Sequence, residues 1–91
     1  GGVLLTWETE SERDLVGFDV IRVGEAGRPE RRLNPIIVPA IGDPSSAASY
    51  QFVDVTAEPG ATYRYRVEGI TYDGLRSTFD VGEASVPPRE D

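Results

Sequence analysis

Thr62-Tyr63-Arg64-Tyr65-Arg66-Val67-Glu68-Gly69-Ile70 alternates without a break: Tyr63, Tyr65 and Val67 fall on one side, Arg64, Arg66 and Glu68 on the other. A period of two with aromatic and β-branched residues on one side is the pattern of a strand buried on one face and solvated on the other. Downstream, Tyr72-Asp73-Gly74-Leu75 carries an Asp-Gly hairpin signal, and Arg76 to Val86 supplies the returning strand. Upstream, Tyr50 and Phe52 alternate in a further strand, and Pro59-Gly60 turns the chain between the two.

The same reading extends to the N-terminal half. Val3-Leu4-Leu5-Thr6-Trp7-Glu8-Thr9 is a strand with Val3, Leu5 and Trp7 on one face, Leu4, Thr6 and Glu8 on the other, and Trp7 as core anchor. A polar segment, Glu10 to Asp14, leads to a second strand over residues 17–23 in which Phe18 and Val20 point inward and Asp19 outward. Ile21 and Val23 break that alternation, which predicts a bulge or a covered outer face there. Residues 30–34 read as a short, charged edge strand ended by Pro35, with Glu25 to Pro29 as the turn before it. Residues 35–49 are the least regular part, and Ile36, Ile37, Val38 and Ile41 are expected under a loop whose tip is Gly42-Asp43-Pro44-Ser45-Ser46.

Ninety-one residues make one domain. Residues 1–86 read as that domain and 87–91, opening on Pro87-Pro88, as a tail or linker. Ten Gly and seven Pro leave no long helical window. Six or so short strands with turn chemistry between them predict an all-β, two-sheet antiparallel sandwich.

Composition closes off much chemistry. The chain has no His, Cys, Met or Lys. Ordinary zinc sites, Ser-His-Asp or Cys-His nucleophiles, redox CxxC pairs, Walker A motifs and Schiff bases are therefore excluded. No cofactor is expected. Nine Arg against sixteen acidic residues give a net charge of −7, which repels nucleic acid and anionic membranes. No apolar run reaches the ~18 residues of a membrane span. The chain starts at Gly1, which reads as a processed or excised piece of a longer protein.

Four segments together resemble the fibronectin type III domains, in particular the bacterial extracellular version. They are Val3-x-Leu5-x-Trp7, then Ser11-Glu12-x-Asp14-x-x-Gly17-Phe18-x-Val20-x-Arg22, then Tyr50-x-Phe52-x-Asp54, then Pro59-Gly60-x-x-Tyr63-x-Tyr65-x-Val67. The resemblance spans residues 3–86. It implies an immunoglobulin-like sandwich with Trp7 and Phe18 in the core and Tyr63 as the tyrosine-corner residue after Pro59-Gly60. It also implies an extracellular or cell-surface location. Two departures stand out: Ala57 sits where the family has Leu, and strand A has no counterpart before Val3. The first strand then has an open edge, where the outward Leu4 would meet an incoming strand.

Four surface features are candidate sites. Glu10, Glu12 and Asp14, in series with Glu8, could ligate Ca²⁺, against the plainer reading of solvated residues with Glu12 paired to Arg13 or Arg22. A glycosidase carboxylate pair is rejected, because so small a sandwich offers no cleft. Tyr72 near a hairpin tip is the one aromatic placed to serve as a sugar platform, the other tyrosines falling in core phase. Arg28, Arg31 and Arg32 form a basic spot suited to an acidic partner, or simply guard an edge. Three functions stand as expectations: a non-catalytic spacer or protein-interaction module of a larger bacterial extracellular or cell-surface protein, as the resemblance implies, a subunit of a surface assembly completed by strand addition from a neighbour, or a carbohydrate-binding module of a secreted enzyme.

Overall fold

The computed structural model describes residues 2–9, 14–24, 29–41 and 48–88. Its elements are β1 (Val3–Thr9), β2 (Leu15–Arg22), β3 (Arg31–Arg32), β4 (Val38–Pro39), β5 (Ala48–Asp54), β6 (Thr62–Thr71) and β7 (Arg76–Ser85). They form two antiparallel sheets: among the described residues β1 pairs with β5 alone, and the larger sheet runs β3-β2-β6-β7 with β4 also on β2. The chain is thus an all-β sandwich, as the alternation predicts.

The sheets meet over the residues the period-2 pattern puts inside. Trp7 from β1 stacks on Tyr50 from β5 at 5.5 Å and meets Phe18 from β2 edge-on at 5.6 Å. Val20 and Val67, cross-strand partners in β2 and β6, complete this cluster with Leu15. A second cluster, Val3, Ala57, Tyr63, Tyr65 and Val86, fills the other end, with Leu5 and Leu33 touching both. Ala57 is buried there despite its small size.

β3 and β4 are one edge strand interrupted. Both run antiparallel to β2, Arg32 opposite Ile21 and Val38 opposite Phe18, so residues 33–37 loop out between them. Asn34 fills the break. Its Oδ1 accepts the Val20 N–H at 2.7 Å, and its Nδ2 donates to Asp19 Oδ1 at 2.8 Å and to the Ile36 carbonyl at 3.0 Å. A side-chain amide thereby replaces the missing backbone partner of a central strand, which would otherwise leave a buried N–H unpaired. Gly17 is required on the same edge: a Cβ there would lie 2.4 Å from the Val38 carbonyl oxygen.

Three expectations are corrected. The bulge in β2 lies at Val16, between the Leu15 and Gly17 registers with β6, and not at Ile21 to Val23; of the two readings offered there, a covered outer face is the one found, with Ile21 buried. Asp19 points away from the core as predicted, yet Asn34 and Arg76 cover it to 2 % exposure. Ile36 and Ile41 are not buried but 78 % and 71 % exposed, Ile36 lying in the loop-out that Asn34 anchors and Ile41 past the end of β4; Val38 alone of the four joins the core. The loop tip at residues 42–46 lies outside the described residues.

At the β6–β7 hairpin Gly74 takes φ 85° and donates to the Thr71 carbonyl, while Thr71 N–H donates to the Leu75 carbonyl. This is a three-residue loop whose last position demands a left-handed residue, which explains the Asp-Gly signal.

Candidate interaction edge

β1 keeps a regular register with β5 over all seven of its residues, Val3 opposite Asp54 through Thr9 opposite Ala48. In an antiparallel ladder alternate residues turn their N–H and C=O away from the partner. On the far side of β1 no strand receives them among the described residues. That edge borders a groove of about 220 Å³ lined by residues 3–6 of β1, 65–67 of β6 and 82–84 of β7. Its floor is apolar and partly roofless: Tyr65 and Val67 are buried, and a Cβ added at Gly82 would meet nothing within 4 Å. β7 also borders the groove, but its pairing with β6 slips between Val67 and Glu68, and such irregularity blunts an edge. β1 has no such defect, no proline, and a single charge, Glu8.

Leu4, predicted outward, is 58 % exposed and sits opposite Val53, itself 49 % exposed, with Val55 beyond. An apolar strip therefore runs beside the open edge. The end of the sandwich beneath it is fixed by a buried polar group that sequence reading left without a role. Asp54 Oδ2 takes Arg22 Nη1 at 3.1 Å and the Tyr65 hydroxyl at 2.8 Å, while Oδ1 takes the Thr56 hydroxyl at 2.6 Å and N–H at 3.0 Å. Burial opposes ionisation of Asp54, but the bonds from Thr56 and Tyr65 and the charge of Arg22 outweigh it and hold its carboxyl below the ordinary range. Burial, then the Asp54 carboxylate, push the Tyr65 phenol up. Arg22 also lies 4.7 Å over the Tyr63 ring. The signal was present in the alternation, since Arg22 is in phase with Val20 and Asp54 with Phe52, so both charges had to point inward.

The predicted corner is formed at Tyr63, whose hydroxyl accepts the Glu58 N–H at 2.9 Å. Gly60 takes φ 81° after the exposed Pro59 and donates to the Val86 carbonyl, closing that end. The remaining candidates scatter. Tyr72 is 78 % exposed over an open hollow shared with Asp14, Thr71, Asp73 and Leu75, and its N–H donates to the Asp14 carbonyl. The Thr71 hydroxyl bonds Asp73 and holds its carboxyl below the ordinary range. Of the calcium candidates, Glu10 and Glu12 lie outside the described residues, and among the described residues no three His, Cys, Asp or Glu are grouped for a metal. Arg22 bonds Asp54; its expected pairing with Glu12 lies outside the described residues. Arg31 and Arg32 are exposed on β3, and Arg28 lies outside the described residues.

On the outer face of the large sheet, Asp19, Arg76, Glu68, Arg66 and Glu30 form one chain of ion pairs at 2.7–3.1 Å. Burial opposes ionisation of Asp19, but Asn34 and Arg76 prevail and lower its carboxyl. Comparison with family models, curated proteins and solved structures finds no match to this chain.

Proposed function

We propose that the chain is a non-catalytic, fibronectin type III-like sandwich module of a larger bacterial extracellular or cell-surface protein. It serves as a spacer and interaction unit that accepts an extended polypeptide along β1. The observation that carries the reading is the regular β1 edge, without a partner strand among the described residues, beside a groove with an apolar floor. A bare edge of this kind is a ready template for another strand. Support for the family reading comes from the Tyr63 hydroxyl bonded upstream and from Trp7 in the core, and it is an argument by analogy of fold. The test measures amide exchange along β1 in the chain, alone and with an extended peptide added in trans. Alternate β1 amides that exchange fast in the free chain and slowly once the peptide is added support the reading; uniformly slow exchange in the free chain, or a fast set that the peptide leaves unchanged, rejects it.

A further inference from the structure

We infer that the guest of the β1 edge is a strand of another polypeptide, running antiparallel to β1, with apolar residues at alternate positions and a cationic residue at its leading end. This rests on the proposed edge docking and adds the chemistry of what docks. Pairing fixes the phase. Guest residues opposite Val3, Leu5 and Trp7 turn to the inner side, where Tyr65, Val67 and Ala84 supply an apolar floor. Those opposite Leu4, Thr6 and Glu8 turn outward. The groove volume, about 220 Å³, equals that of roughly seven liquid waters, room for two or three side chains of Val size.

Charge sets the polarity. Glu8 is the one charged residue of β1, and Glu83 lines the groove. Arg66, the cation at the groove, is held by Glu30 at 2.7 Å and Glu68 at 2.9 Å. The field met by a guest is thus acidic, in keeping with the net charge of −7. An opposite charge directly across from Glu8 is favoured, and in the more stable antiparallel pairing that position comes first in the guest. A second copy of this chain fits poorly: twofold pairing centred on Thr6 would set Glu8 against Leu4 of the other copy and bring two chains of like net charge together.

The experiment uses two capped hexapeptides of identical composition, Lys-Val-Thr-Val-Thr-Val and its reverse, titrated into the chain and read by NMR shifts and amide exchange on β1. The first peptide is expected to slow alternate β1 amides and to bind at least fivefold more tightly than the reverse. Glu8→Lys should weaken it two- to fivefold, the range of a cross-strand ion pair. Gly82→Leu fills the groove where no atom stands and should weaken it at least tenfold while leaving the thermal midpoint of the free chain unchanged. Equal binding of the two peptides, or indifference to Glu8→Lys, with β1 amides still protected, overturns the guest chemistry and leaves edge docking standing. Failure of both peptides to protect β1 removes edge docking as well. Protection of β1 by self-association without peptide makes a second copy the occupant and overturns the inference.

Discussion

Arg22 on β2 and Asp54 on β5 reach across the sandwich to a 3.1 Å ion pair, the one charged link between the two sheets among the described residues. The Tyr65 hydroxyl on β6 bonds the same carboxylate at 2.8 Å, and the two core clusters that join the sheets around this group are built of apolar and aromatic side chains. Asp54→Ala leaves Arg22 and Tyr65 without their shared acceptor. It should cost about 3–5 kcal/mol in denaturant unfolding, the range for removing one partner of a buried pair.

The same carboxylate sets the acid limit of stability. Its folded pKa is depressed, so the stability it contributes is fully present above the unfolded carboxylate value of ~3.9 and is lost as pH falls through the lower folded value. Asp19 acts with the same sign. Thermal midpoints should fall steadily below about pH 4, and Asp54→Asn should flatten that limb while lowering the midpoint at neutral pH. A limb of unchanged steepness would mean that other carboxylates control it.

Trp7→Ala removes the ring that stacks on Tyr50 and meets Phe18, and the cavity should cost about 3–5 kcal/mol. A loss below about 1 kcal/mol in urea melts would be that of a surface change and would contradict the placement of Trp7 in the core.

Tyr63→Phe keeps the ring under Arg22 but strands the Glu58 N–H. The expected cost is about 1 kcal/mol, because that N–H is only partly buried and water can reach it. An unchanged urea midpoint would remove the corner bond from the account.

Asn34→Ala uncovers the Val20 N–H in the middle of the larger sheet and frees the loop-out between β3 and β4. A cost of about 1–3 kcal/mol, with faster exchange at Val20 than at Val67, is the predicted result. Equal exchange at both would show that another acceptor serves Val20.

The alternation of residues 62–70 and 3–9 was legible because each of those strands has one face in the core and one outside. Where both faces are covered, as around Asp19 and Ile21, the period of two is lost: the break at Ile21 is compatible with a bulge or a covered outer face, the covered face is the one present, and the bulge at Val16 leaves no mark in the pattern. Asn34 was invisible because its work depends on a break in an edge strand 14 residues away from Val20 in sequence. Apolar character alone does not decide burial at Ile36 and Ile41, since both stand in irregular backbone outside the sheet faces and are exposed. The open edge was read from a missing strand, but the groove beside it depends on where β6 and β7 pass, which no local pattern encodes.

The most direct test of the β1 edge is residue-resolved amide exchange on the dilute, monomeric chain with and without the Lys-led hexapeptide. The account predicts alternating slow and fast amides along Val3–Thr9 in the free chain, with the fast set slowing when the peptide is added. Uniformly slow exchange along β1 in the free monomer, or a fast set that ignores the peptide, would contradict it.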